Sequence, residues 1–202
     1  MIEVDRVGAI HTIVINRPDK AGALTEDMLV DLRAAVRAAH DAAALILTGT
    51  GTVFSAGADL EAARAGLATS PLWEEVSGAI ADLPGLTIAA LNGTVAGGAN
   101  GMVLACDIRI AVPRATFFYP VMKLGYLPQP SDPVRMAALI GHARTKMILL
   151  AGQKISAATA YAFGLIDEVT ETGDVLGRAH ELCRDIAAAD ISLAREIKTL
   201  CP

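Results

Sequence analysis

The chain has 202 residues, of which 53% are hydrophobic and only 4% aromatic, and its formal net charge is −5. That length suits one domain with a sizeable core built from Ala, Leu, Ile and Val, and is too short for two comfortable ones. The Lys and Arg residues are scattered through an acidic chain, which argues against a nucleic-acid partner but leaves room for an anionic ligand at a few local cations and helix N-termini.

Residues 2–7 and 9–15 alternate apolar and polar side chains, with many β-branched residues, and read as two strands about a turn at Gly8. Asn16-Arg17-Pro18-Asp19 breaks the second. A helix is expected over 25–40: Thr25 suits its cap, Glu26 and Asp27 its positive end, and Met28, Leu29, Leu32 and Val36 form one stripe. Residues 43–48 form a short buried strand turned by Gly49-Thr50-Gly51, and Val53-Phe54 begins a piece that leads to a short helix over 60–65. Ser70-Pro71 opens a helix with Leu72, Val76 and Ile80 on one face, which Pro84 stops. A fully apolar strand over 86–91 runs into a glycine-rich turn and a small-residue helix to Ala105, followed by strands over 108–112 and 116–118.

Beyond Ser131 the pattern turns helical, over 132–140, 143–151, 157–163, 175–188 and 193–200. Gly141, Gly152 and Gly164 stand where C-caps are wanted, and 165–169 is one late strand. Alternating βα units with buried strands favour an α/β architecture in a single domain over 1–202, with a core over 1–130 and a helical part over 131–202. Residues 83–106 are uncharged and long enough to span a bilayer, but Pro84, Asn92, Asn100 and five glycines favour turns inside a buried core. Glu3, Asp5 and Arg6 interrupt any apolar run at the start, so no secretory leader is expected and a cytoplasmic location is the default. Cys106, Cys183 and Cys201 are too few and too dispersed for a disulfide framework or a metal site, and Cys106 reads as a small buried apolar residue.

Two stretches carry the chemistry: residues 54–60, FSAGADL, and residues 91–108, LNGTVAGGANGMVLACDI. Each is a small-residue turn that leaves an apolar run and opens into a helical pattern. Neither holds a nucleophile. They offer backbone N–H groups, at Ala58 and Gly98, that a ligand carbonyl can approach closely. An oxyanion hole needs two such donors on one oxygen, with no reorganisation when charge develops there. The stretch 96–101 lacks the spacing of a dinucleotide-binding GxGxxG, and Val53 stands where a GxSxG elbow needs its first glycine. His11, His40, His142 and His180 form no pair with catalytic spacing.

Taken together, several motifs resemble the enoyl-CoA hydratase/isomerase (crotonase) superfamily. They are Asn16-Arg17-Pro18-Asp19-Lys20 with Ala23-Leu24-Thr25, Phe54-Ser55-Ala56-Gly57-Ala58-Asp59-Leu60, Ala90-Leu91-Asn92-Gly93 with Gly97-Gly98, and Cys106-Asp107-Ile108. Ile155-Ser156-Ala157, Ala160-Tyr161 and Gly164-Leu165-Ile166-Asp167-Glu168-Val169 extend the match through almost the whole chain. The resemblance implies a crotonase-like spiral of repeated ββα units with a helical C-terminal part, assembled as homotrimers or hexamers. It implies an acyl-CoA thioester bent between the two turns, with coenzyme A as part of the substrate and no separate cofactor. The thioester oxygen would sit on the N–H groups of Ala58 and Gly98. Ala21, Ala23, Ala56, Asp59 and Leu60 would line one side of the ligand, and Gly97, Pro120, Val121 and Gly125 the other.

The departures from the family pattern are specific. Family hydratases carry one glutamate a helical turn after the second oxyanion donor and another directly after the proline of an FGxPE-like stretch. Here those positions are Gly101 and Val121, neither of which can move a proton. Tyr119, Tyr126 and Asp132 near the second position, and Asp59, Glu61, Glu74 and Glu75 on or after the first turn, are the polar groups at hand. Each reads more simply as a solvated charge or a cap, Asp59 as the cap of the helix after it. The chain also stops where the family adds a C-terminal helical extension, and the short stretch over 60–71 is expected to leave the acyl tunnel more open. Two functions follow: a divergent family enzyme that stabilises a thioester enolate without the two glutamates, or a non-catalytic acyl-CoA-binding scaffold. A membrane or nucleic-acid partner belongs to neither.

Overall fold

Alternating β-branched residues make β1 (Ile2–Val7) and β2 (Ile10–Ile15) an antiparallel hairpin, with Val7 opposite Ile10 and Gly8 in the left-handed region at the turn. This is the computed structural model, which describes residues 1–171 and 173–201; Thr172 and Pro202, the last residue of the expected helical part, lie outside it. Helix α1 (Glu26–Ala38) starts where Thr25 Oγ1 accepts the Met28 N–H, and its stripe of Met28, Leu29, Leu32 and Val36 is buried.

Three ββα units follow. The first is β3 (Ala44–Gly49) and β4 (Val53–Ser55), with helices α2 (Leu60–Arg64) and α3 (Leu72–Ala81). The second is β5 (Leu86–Leu91), β6 (Thr94–Ala96) and α4 (Ala99–Leu104), and the third is β7 (Ile108–Ala111), β8 (Thr116–Phe118) and the short α5 (Val121–Leu124). The chain then runs through α6 (Asp132–Leu149), β9 (Ile155–Ser156), α7 (Ala157–Phe163), β10 (Glu168–Val169), α8 (Val175–Leu182), α9 (Arg184–Ala188) and α10 (Ile191–Leu200).

The first strand of every unit joins a six-stranded sheet, in the order β1-β2-β3-β5-β7-β10, and the second joins a four-stranded sheet, β4-β6-β8-β9. All pairings are parallel except β1 with β2 and β8 with β9. The core lies between the sheets and helices: Ile13, Leu29, Leu32, Ile46, Leu47, Phe54, Ile80 and Ile88 are fully enclosed. Because β4 and β6 are parallel neighbours, both release their turns and helices on the same side. That register places the two small-residue turns together.

Several expected elements differ in extent. β6, β9 and α5 are too short to show as periodic patterns, and each is held by pairing or a local turn. The segment 83–106 is divided among β5, β6 and α4, and no helix among the described residues is long and apolar enough to cross a membrane. The expected helices 132–140 and 143–151 appear as α6 broken at Gly141, whose φ of 78° and ψ of 160° end the first half. The expected helix 175–188 divides into α8 and α9 at Cys183. Helix α10 begins two residues early because Asp190 caps it, accepting the Ser192 N–H at 2.7 Å.

Only Glu168–Val169 of the expected strand 165–169 pairs with β7. Two of the three residues before it, Leu165 and Asp167, are held by Arg109, buried at 4% exposure. Its guanidinium donates to the carbonyls of Cys106 (2.6 Å) and Leu165 (2.9 Å) and to Asp167 Oδ2 (3.0 Å). Arg109→Ala strands two buried carbonyls and is expected to cost about 3 kcal/mol or more. Asp167→Asn, at the half-exposed end of the ion pair, should cost far less. Urea unfolding midpoints of the two variants test that order.

Candidate functional site

The two turns meet through their glycines. Val53 pairs with Thr94 and Ser55 with Val95, so the chain leaves β4 and β6 side by side. Gly57 and Gly97 both adopt left-handed φ, of 88° and 57°. A methyl group on Gly57 would stand 2.9 Å from the Ala96 carbonyl oxygen and 3.5 Å from Gly97 Cα. Only glycine allows that approach. Asn92 ties the strands upstream: its Oδ1 accepts the Gly49 N–H, and its Nδ2 donates to the carbonyls of Gly51 and Val53.

Within each turn one peptide plane is pinned by its carbonyl. The Gly57 carbonyl accepts the Leu24 N–H at 2.8 Å, and a planar trans peptide then directs the Ala58 N–H the opposite way. The flanking donors are engaged: Ala56 N–H on the Ala21 carbonyl (3.0 Å), Gly57 N–H on Ser55 Oγ (3.1 Å) and Asp59 N–H on the Leu24 carbonyl (2.8 Å). In the second turn the Gly97 carbonyl accepts both the N–H and the Nδ2 of Asn100, at 3.0 and 2.9 Å, so the Gly98 N–H faces away from them. Asn100 Nδ2 also donates to the Phe118 carbonyl, and Gly97 N–H donates there too, which joins the turn to β8. Among the described residues the N–H groups of Ala58 and Gly98 make no hydrogen bond.

The residues expected on one side gather around the first turn. Ala21, the single non-glycine residue with positive φ among those described, and Ala23 follow the 3-10 turn Pro18–Lys20, and this loop runs beside 54–58. Ser55 Oγ donates to the Gly22 carbonyl, reinforcing the contact. Asp59 caps α2, accepting the N–H groups of Glu61 and Ala62, and pairs with Arg17 at 2.9 Å. Its partial desolvation is outweighed by Arg17 and those donors, which hold the carboxyl below the usual range. Leu60 is 76% exposed. On the other side, Pro120 follows β8 and caps α5, and Val121 packs in the core. Gly125 ends α5 with its N–H on the Val121 carbonyl, and no hydrogen bond ties it to either turn. Cys106 is buried, as expected, with its Sγ donating to the Met102 carbonyl and burial pushing its thiol up to about 12.

Two residues beside the second turn were not assigned to it by sequence spacing. Trp73, from α3, lies against Gly98: a methyl group there would stand 2.8 Å from the indole ring. The Trp73 Nε1 donates to the buried Leu67 carbonyl at 2.8 Å, which ties the indole to the short stretch 60–71. Asp132, at the start of α6, is fully buried, and a Cβ on Gly101 would lie 2.7 Å from its Oδ1. Sequence proximity had set Asp132 near position 121; the fold sets it at position 101. Its Oδ2 accepts the Tyr119 hydroxyl at 2.9 Å, while its Oδ1 has no hydrogen-bond partner among the described residues. Burial pushes Asp132 up to about 7, with Glu74 adding to the rise and the Tyr119 hydrogen bond and Arg135 opposing it. Burial and the Asp132 charge raise the Tyr119 hydroxyl well above the ordinary tyrosine range. Tyr126 is 39% exposed on the segment after α5.

A groove of about 730 Å³ lies between β7, α6, α9 and α10, where Arg109, Leu139, Ile186, Leu193 and Ile197 line it. It takes in Leu104, Cys106 and Asp107 from the end of the second stretch, and no residue of 54–60 or 91–103.

The model of the enoyl-CoA hydratase/isomerase family matches residues 5–201. The chain is 32% identical over 209 residues to 4-chlorobenzoyl coenzyme A dehalogenase-2 of an Arthrobacter species, covering 98% of this chain and 76% of that one. A probable enoyl-CoA hydratase of Mycobacterium tuberculosis is 31% identical over 186 residues, covering 91% and 76%. Among solved structures, enoyl-CoA hydratase from Bacillus anthracis superposes with a TM-score of 0.91 at 30% identity, covering 98% of this chain and 81% of that one.

The raised Asp132 makes a stability prediction. The folded chain holds this proton to higher pH than the unfolded chain does. Its contribution to stability is therefore full below about pH 4, is lost as the pH rises to about 7, and is constant above. Asp132→Asn removes the titration and can keep the Tyr119 hydrogen bond. Its stability relative to wild type should therefore grow between pH 4 and 7, by up to about 1.4 kcal/mol per pH unit, and then level off. Urea unfolding of both proteins from pH 4.5 to 8 measures this; a difference independent of pH would show that Asp132 titrates normally.

Proposed function

The chain belongs to the enoyl-CoA hydratase/isomerase family and has its crotonase-like fold, and from that premise we propose that it binds an acyl-CoA thioester with the thioester oxygen on the N–H groups of Ala58 and Gly98. The observation that carries this reading is the pair of pinned peptides: two touching turns, each with its carbonyl tied back and its next N–H left without a partner. Such donors need no reorganisation when an enolate or tetrahedral oxyanion forms on the ligand. Ala21, Ala23, Ala56, Asp59 and Leu60 would stand on one flank of the ligand, and Gly97, Pro120, Val121 and Gly125 on the other. A match named for 4-chlorobenzoyl coenzyme A supports a coenzyme A ester as the ligand.

The reaction differs from two-carboxylate hydration, because Gly101 and Val121 offer no acid or base. Those same two residues favour a second reading, in which the protein holds the thioester without turning it over. Calorimetry with crotonyl-, 3-enoyl- and malonyl-CoA, run beside product analysis, separates the two. Binding with product supports the enzyme; binding without product across the panel supports the carrier or scaffold; no binding of any CoA ester removes both.

A single substitution tests the donor role. Ala58→Pro deletes one N–H and no existing hydrogen bond. It should weaken binding of acyl-CoA relative to free coenzyme A, and lower any turnover by about 10²–10³-fold. Gly98→Pro is the poorer probe, since added ring carbons would meet Trp73. Acyl-CoA affinity equal to wild type in the Ala58→Pro protein would rule the donor role out.

A further inference from the structure

Glycine at position 101 leaves a space, and the fold fills it with a carboxylate from another helix. Gly98 and Gly101 lie one turn apart on the same face of α4, neighbouring positions about 5–6 Å from each other. The side-chain direction of Gly101 leads straight to Asp132, with Oδ1 at 2.7 Å and Oδ2 at 3.2 Å from where a Cβ would be. The carboxylate is oriented rather than loose. Tyr119 donates to Oδ2, and the α6 N-terminus stands behind it. Oδ1, fully buried, is left with a lone pair that no group among the described residues uses. Three groups bear on it: Tyr119 from the end of β8, Glu74 from α3 and Arg135 from α6 itself. A fully buried carboxylate with an unused oxygen is costly to keep unless it does something, since Asn would satisfy Tyr119 equally well.

We propose that Asp132, oriented by the Tyr119 hydroxyl, is the acid/base residue of this site and exchanges a proton with the α-carbon of a thioester held on the Ala58 and Gly98 N–H groups. The inference rests on the thioester reading above and adds the chemical class of the ligand, an acyl-CoA with at least one α-hydrogen. In the step, the Cα–H bond breaks and an O–H bond forms on Asp132 Oδ1. The C–H electron pair moves into the thioester, whose oxygen becomes the enolate oxyanion facing the two N–H donors. Return of the proton from Asp132 restores the Cα–H bond, so atoms and charge balance without a further reactant. Burial suits this role, because a carboxylate shielded from water holds a proton more tightly and is a stronger base than an exposed one.

The test is solvent exchange. Incubate the protein with butyryl-CoA in D2O, follow α-deuteration by mass spectrometry, and measure butyryl-CoA binding by calorimetry. Wild type should bind and exchange, with the rate rising through neutral pH as Asp132 ionises. Asp132→Asn should bind within about threefold of wild type and exchange at least 100-fold more slowly. Tyr119→Phe should slow exchange and move the midpoint of its pH profile upward, because the hydroxyl orients Asp132 and stabilises its ionised form. That shift decides the matter if the Asn protein does not fold. Wild-type binding without exchange, or undiminished exchange by Asp132→Asn, overturns the role of Asp132 and leaves the cradle intact. Absence of butyryl-CoA binding by wild type overturns the cradle, and this role with it.

Discussion

The close approach of two backbones, at Gly57 and Gly97, is the constraint on which the rest of the structure depends. Side chains there would drive the turns apart, and with them the two peptide N–H groups. The parallel register of β4 and β6 brings the turns to the same edge of the second sheet, and the missing Cβ atoms let them touch. The direction of each free N–H is then set by what its carbonyl does. Leu24 holds the carbonyl of Gly57, and Asn100 holds that of Gly97. In both cases the N–H is aimed by restraining the opposite end of its peptide plane.

Missing side chains shape the surroundings as well. A core with few aromatics places its single tryptophan against Gly98, where the flat ring lies along a glycine that has no side chain to obstruct it. Beyond it, Gly101 makes room for Asp132. Gly98, the N-cap of α4, and the carboxylate of Asp132, on α6, therefore come from different elements. Their separation is set by helix packing and by the Tyr119 hydrogen bond rather than by the spacing of one helix.

Much of this was legible in the chain. The Thr25 cap, the α1 stripe, the buried 86–91 strand and the break at Gly141 all rest on local chemistry, and the structure bears each out. The two turns were also visible, because small residues between an apolar run and a helix are a local signal. Their contact was not, since it depends on the register of β4 against β6, which no local pattern specifies. Asp132 was visible as a residue near position 121, yet its place beside Gly101 arises from where α6 starts, far along the chain. Trp73 carried no signal at all: it reads as one more apolar position on α3. The strands β6 and β9, only two or three residues long, exist because neighbours supply their hydrogen bonds.

The position of Trp73 has an optical consequence. It is the sole tryptophan of the chain, and its indole is buried against the very turn that carries Gly98. Its emission therefore comes from one place, without background from other indoles. Anything that enters beside Gly98 alters the polarity around that ring, and the chain thus carries its own fluorophore at the second turn.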